Sequence, residues 1–360
     1  MTSRTLIRPT GFVDSPFGHD GRVARLAGGM GWFGLVELIS VDGHRRTGSE
    51  IVPVEGLEAR FDDITAADWA RITGSRVPLQ LGARKIRLDQ PQVMAVLNAT
   101  PDSFSDGAIH GDDAASAGAD MAAAGAAIVD VGGESTRPGA VTVWEGDEIE
   151  RIEPVVRRLA ASGAAVSIDT RKAPVAEAAL AAGATMINDV SAMLFDPRMA
   201  EVAAAANDGA AVPIVLMHHQ GDPQVMQDSP RYDDVLVEVF LWLEARIAAA
   251  EAAGISREKI LVDPGIGFGK TVAHNLELLN GLAVLHGLGC GVVVGASRKR
   301  MIGALAGEAP ADQRLAGSLA LALKAVDQGA QIVRVHDVTE TVQALRVWRG
   351  LRDQALTPRL

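Results

Sequence analysis

The 360-residue sequence predicts an α/β fold, a (β/α)8 barrel led by a small α+β extension. Three observations predict it. First, an Ala-rich helix running into Gly and a short β-branched strand recurs as GAAIVDV from Gly125, GATMIND from Gly183 and GAQIVRV from Gly329. Second, strand-like segments and amphipathic helices alternate eight times over about 260 residues, the rhythm of a parallel barrel. Third, the strands are almost continuously apolar, as strands covered on both faces are. An open doubly wound sheet is the alternative that periodicity leaves standing.

In chain order, residues 1–90 lie outside this rhythm and form an extension whose role is not legible; residues 91–360 form the barrel. Within the extension, FGLVELISVDGHRRTGSEIVPV predicts a β-hairpin turning at Asp42-Gly43, and DDITAADWARI from Asp62 predicts a short helix. The barrel strands are VMAVLN from Val93, AIVDV from Ala127, AVSID from Ala165, TMIND from Thr185, PIVLMH from Pro213, KILVDP from Lys259, GVVVGAS from Gly291 and QIVRVHD from Gln331. Between the fifth and sixth, residues 232–253 place Val235, Val239, Leu243 and Ile247 on one helical face, with Gly254 just beyond.

Hydrophobic residues make up 48% and charged residues 22%, the balance of a soluble globular protein rather than a disordered chain. No run of about 18 apolar residues occurs, and the first residues lack a signal-peptide core. The single cysteine, Cys290, excludes an internal disulfide and suits a reducing cytoplasm. A net charge of −11 and 4% aromatic residues argue against nucleic acid or an anionic membrane as partner. Two glycine-rich segments are decoys. GGMGWFG precedes a strand-like segment, whereas a dinucleotide fingerprint opens a helix. PGIGFGKT has Pro264 where a phosphate-binding loop needs Gly. The neighbours His218 and His219 point to opposite faces of a strand and would not chelate one ion.

Catalytic residues of a parallel barrel sit at the carboxyl ends of its strands. Those ends read Asn98, Asp130, Asp169, Asn188, His218, Asp263, Ser297-Arg298-Lys299 and Arg334-Val335-His336. Carboxylates and amides suit a flat heterocycle bearing amino and lactam groups; Arg, Lys and His suit an anion, above all phosphate. Two strand-end loops, NATPDSFSDGAIHGDD and GGESTRPGAVTVW, are long and polar, as substrate clamps are.

These segments, with SIDTRK, INDVSA, LMHHQGDPQVMQ, LVDPGIGFGKT, GASRKRMIG, RLAGSLA and RVHDVTET, resemble the dihydropteroate synthase family across about residues 91–347. Ala99, Ala108 and Arg300 depart from the usual pattern without removing a polar catalytic group. The resemblance implies a transferase of folate biosynthesis that joins (7,8-dihydropterin-6-yl)methyl diphosphate to 4-aminobenzoate and releases pyrophosphate. It implies Asn188, Asp263 and Asp169 on the pterin, and Asp169 also on the developing cation. It implies Lys299 between the two substrates, Arg334 and His336 on the diphosphate, Thr136, Arg137 and Phe104 on the loops, and Asn98 as ligand to Mg2+. It further implies a cytoplasmic homodimer. A pterin-binding methyltransferase domain shares the barrel but needs no diphosphate site, and a non-catalytic paralogue would have lost its loops or cations; the intact TPDSFSDG, STRPG and RVHD segments speak against both.

Overall fold

The computed structural model describes residues 3–99, 111–134, 142–205, 212–221 and 229–357. The extension is a mixed-length antiparallel sheet under one helix. Strand β1 (Ser3–Val13) pairs with one edge of β3 (Trp32–Asp42), whose other edge takes the two-residue β2 (Ala24–Arg25) and β4 (Arg45–Pro53). The hairpin turns at Asp42-Gly43 as expected, with Gly43 at φ +61°. Gly28, Gly29 and Gly31 of GGMGWFG lie in the turn that enters β3, Gly34 lies within that strand, and no helix follows them directly.

Strand alternation gives the sheet two buried faces. Ile7, Val36 and Val52 join Phe33 beneath helix α1 (Asp63–Thr73), where Trp69 meets Phe33 edge to face at 5.8 Å. Asp62 caps α1 by accepting from the Thr65 N–H. On the opposite face Leu6, Ile39 and Val41 belong to the same apolar cluster as the barrel helices. Arginines stitch the joint. Arg4 bridges Asp68 (2.9 Å) and Glu244 (2.6 Å), and Arg46 reaches Asp234 (2.7 Å). Arg76 donates to the carbonyls of Arg71, Gly74, His286 and Cys290. Arg352, near the other end of the chain, donates to the carbonyls of Val13 and Met30 and pairs with Asp14.

A small hairpin, β5 (Leu79–Leu81) and β6 (Arg84–Ile86), leads into the barrel. Its Leu79, Leu81 and Ile86, with Leu88, pack against Met94, Ile128, Met186, Val215, Leu261, Val293 and Ile332 from seven of the barrel strands. The segment 79–88, counted with the extension by the sequence division at residue 90, thus fills the amino end of the barrel.

Eight parallel strands close that barrel: β7 (Gln92–Asn98), β8 (Ile128–Gly132), β9 (Val166–Asp169), β10 (Met186–Asp189), β11 (Ile214–Met217), β12 (Ile260–Asp263), β13 (Gly291–Val294) and β14 (Ile332–Val335), which pairs back onto β7. Every strand lies where the sequence pattern puts one, and the closed sheet excludes the doubly wound alternative. Around it run α2 (Gly111–Ala123), α3 (Glu145–Ala161), α4 (Ala173–Ala182), α5 (Met199–Ala205), α6 (Val235–Ala252), α7 (Val272–Gly281), α8 (Arg300–Leu305), α9 (Leu315–Asp327) and α10 (Val338–Ala355). The repeated Gly-Ala stop works through the left-handed cap: Gly183 at φ +111° ends α4. In α6 the predicted Val235, Val239, Leu243 and Ile247 are all buried, and Asp234 caps the helix.

Candidate active site at the carboxyl end of the barrel

Four side chains from four strands meet inside the barrel mouth. Arg334, on β14, donates through Nε to Asp130 Oδ2 on β8 (2.6 Å) and through Nη2 to Asp169 Oδ2 at the end of β9 (2.6 Å). Asn188, on β10, donates to the same Asp130 Oδ2 at 2.9 Å. These strands are brought together by closure of the sheet, with Asn188 in register with Asp169 and Asp169 with Gly132. Asp130 is completely buried, and Asp169 and Asn188 nearly so.

The network is not self-sufficient. The second oxygens of Asp130 and Asp169, and the hydroxyl of Ser167 below them, are buried and make no hydrogen bond among the described residues. Such acceptors are rare in folded proteins and expensive, about 1–3 kcal/mol each. Burial drives the Asp169 carboxyl up to about 7, with Asp130, Glu148 and Asp189 adding to the rise and Arg334 opposing it. Arg334 overcomes its own desolvation through Asp130, Asp169 and Asp263, so it stays charged.

Asp263 closes the other side. It is buried at the end of β12 and accepts the Gly265 N–H at 2.7 Å. Burial raises its pKa, against the pull of the Gly265 amide, Lys299, Arg334 and Lys270. Lys299 caps α8 and lies with Nζ 4.1 Å from the centre of the Phe268 ring. His336 follows β14, and its Nδ1 lies 3.0 Å from Ser297 Oγ. Asn98 ends β7, half-buried and in register with Gly132.

Asp169, Asn188, Asp263, Arg334, His336 and Asn98 therefore sit at or just past the strand ends, as expected, and Lys299 lies beyond β13 at the start of α8. Thr136, Arg137 and Phe104 lie outside the described residues. One difference is physical. The resemblance implies Arg334 on the diphosphate; here two of its nitrogens serve as counter-ion to Asp130 and Asp169, because two buried carboxylates this close need a shared cation.

Two residues of the site carry no role in the sequence-based expectation. Asp130 stands at a strand end, so its position was legible, but its place as the hub of Arg334 and Asn188 depends on which strands face one another. Lys270 ends the glycine-rich PGIGFGK loop and turns back into it. A third feature borders the second long loop: Lys172 Nζ pairs with Glu134 (2.8 Å) and Glu148 (2.6 Å) and donates to the Val143 carbonyl (2.7 Å).

Comparisons agree with this geometry. The family model for "Pterin binding enzyme" matches residues 94–336. The dihydropteroate synthase of Escherichia coli K12 is 48% identical over 263 residues, covering 72% of this chain and 91% of its own length. That of Mycobacterium leprae is 47% identical over 264 residues, covering 71% and 92%. Among solved structures, Xanthomonas albilineans dihydropteroate synthase with 4-aminobenzoic acid superposes with a TM-score of 0.72 at 46% identity, covering 79% of this chain and 100% of that one. The same enzyme in complex with 7,8-dihydropteroate gives 0.69 at 44% identity, covering 78% and 100%. By matched length, identity and fold together, this chain belongs to the dihydropteroate synthases, within the pterin-binding enzyme family.

Proposed function

We propose that this chain condenses (7,8-dihydropterin-6-yl)methyl diphosphate with 4-aminobenzoate to give 7,8-dihydropteroate and pyrophosphate. The observation that carries the reading is the pair of buried oxygens on Asp130 and Asp169 that make no hydrogen bond among the described residues. A pterin presents ring N–H and exocyclic amino donors on one flat edge, and such a ligand supplies what these oxygens lack. Asn188 and Asp263 complete the edge-on recognition.

In the reaction the aryl amine attacks the exocyclic methylene, the carbon–oxygen bond to diphosphate breaks, and the amine nitrogen loses a proton. Positive charge develops on the methylene as the anion leaves and spreads into the ring. The ionised Asp169, itself buried, stabilises that charge. Lys299 lies between the two substrates. His336, and Arg334 in addition to its two carboxylates, would hold the leaving diphosphate; from the two long loops Thr136 would contact substrate, and Arg137 and Phe104 would help cover the aminobenzoate. Mg2+ supplies charge neutralisation on the diphosphate when bound. Asn98 would hold it with one neutral oxygen. Substrate phosphate and water would supply its other ligands. A cytoplasmic homodimer completes the proposal.

The test is pyrophosphate release with and without 4-aminobenzoate. Release that requires the amine supports the condensation. Methyl transfer without release, or pterin binding without turnover, would overturn it. Sedimentation velocity tests the dimer.

A further inference from the structure

The loop of residues 264–270 is wound on one ammonium group. Lys270 is buried, and its Nζ lies 2.8 Å from Nδ1 of His218, 3.0 Å from the Phe268 carbonyl and 3.1 Å from the Gly265 carbonyl. Three acceptors use all three donors of an ammonium. Other polar groups of the turn are matched as closely. Gly265 N–H goes to Asp263 Oδ1 (2.7 Å), Phe268 N–H to the Gly265 carbonyl (3.0 Å), and Gly267 N–H to Asn275 Oδ1 (2.8 Å). The Tyr232 hydroxyl donates to the Gly269 carbonyl at 2.9 Å. Gly265 runs so close to β11 that a Cβ would lie 1.8 Å from the His218 carbonyl oxygen, at φ +66°.

What this loop presents to the barrel mouth is the amide that holds Asp263 and the Phe268 ring that lies against Lys299. We propose that Lys270 is a positioning residue: by gripping the Gly265 and Phe268 carbonyls it aims the Asp263 carboxylate and, through Phe268, the Lys299 ammonium at the pterin. The proposal rests on the pterin reading above and adds a residue that acts on the substrate only through others.

The chemistry favours positioning over mere packing. Burial pulls the Lys270 pKa down to about 7, with Asp263 opposing and Lys299 adding to the fall, so the charged group is costly to keep there. An apolar side chain would fill the same space at less cost. His218 is suited to accept: burial first, then Lys270 and His219, hold its pKa well below the ordinary value, so the imidazole is neutral. Nδ1 then accepts a hydrogen bond from the Lys270 ammonium, and Nε2 carries the ring proton.

The experiment compares Lys270→Met, His218→Leu and Asp263→Asn with the parent in the full-length chain. Thermal melts report folding, calorimetry with 6-hydroxymethylpterin reports binding, and steady-state kinetics report KM for each substrate. Lys270→Met is expected to fold, to bind the pterin at least tenfold more weakly, and to raise KM for the pterin diphosphate with KM for 4-aminobenzoate changed less than twofold. A lysine that serves only the fold would lower the melting temperature and leave both KM values alone, which overturns the proposal. Should Lys270→Met not fold, His218→Leu keeps the ammonium but removes one acceptor, and the same split between the two KM values is expected at about threefold; its absence is equally fatal. Asp263→Asn separates the two levels. If it weakens pterin binding while folded Lys270→Met does not, the Lys270 proposal fails alone. If the parent chain binds no pterin, the reading of the site fails and takes this proposal with it.

Discussion

The same eight strands end in two different ways. At the amino end, Leu79, Leu81, Ile86 and Leu88 lie on a dry layer of Met94, Ile128, Met186, Leu261 and their neighbours, all apolar. At the carboxyl end, Asp130, Asp169, Asn188, Asp263 and Arg334 crowd together, two carboxylate oxygens among them making no hydrogen bond to the described residues. One end is as well satisfied as a protein interior can be, and the other is held in a state that costs stability. The difference teaches where the fold's free energy goes: the plugged end stabilises a barrel whose open end is arranged for a ligand.

The contrast can be broken most severely at the plug. A chain begun at residue 88 lacks β5 and β6 and exposes the apolar end layer. It is expected to lose its cooperative melt and bind an apolar dye, as loosely packed chains do. A cooperative melt with pterin binding intact would show that the hairpin is dispensable. The graded version is Leu81→Ala. Deleting this fully buried side chain should cost about 2–5 kcal/mol in denaturant unfolding while the pterin affinity of the folded molecules stays within twofold.

The open end should answer in the opposite sense. Asp169→Asn keeps the shape and still accepts from Arg334, but it removes a buried charge. Turnover should fall at least about 100-fold, whereas stability should change by under about 1 kcal/mol or rise. A melting temperature that collapses with the activity would make Asp169 a structural residue.

The smallest expected effect is on pH. The Asp169 carboxyl titrates near 7 in the folded chain, above its ordinary value of 3.8, because burial disfavours the charge. Between those two values the native state holds a proton that the unfolded state has lost, so this group's contribution to stability falls as pH rises toward 7. Pterin binding runs the other way. Donors on the ligand favour the ionised carboxylate, so affinity should climb about tenfold per pH unit up to 7 and then level off. Calorimetry in buffers of different ionisation heat should detect proton release on binding below pH 7. Asp169→Asn should flatten that limb.

The barrel was legible because its signal is periodic and local. Each strand is a short apolar run after a Gly-Ala stop, and each ends in a polar residue that the fold class assigns to the functional face. The partnerships were not legible. Arg334 meets Asp130 and Asp169 because the sheet closes, β14 onto β7, and no local pattern tells which strand ends then face inward together. Lys270 shows the same limit. Its glycine-rich surroundings suggest a lysine for phosphate, a reading that Pro264 argues against; its actual partner, His218, is 52 residues away. The plug was missed for a different reason. Three-residue strands carry too few alternations to separate them from an irregular extension, and only the barrel layer beneath Leu79 and Leu81 shows where they belong.

Arg352 has a consequence for how the chain is made. Its guanidinium joins the last helix to the carbonyls of Met30, 322 residues earlier, and of Val13, 339 residues earlier. A ribosome delivers the amino end first, so the turn at Met30 waits for 322 further residues before this contact can form. The sheet of β1, β3 and β4 meanwhile carries Leu6, Ile39 and Val41 with no barrel to cover them. Contacts of such separation form late, and surfaces that await them invite chaperones. During synthesis the extension thus stays without its barrel contacts until the segment that carries Arg352 has emerged.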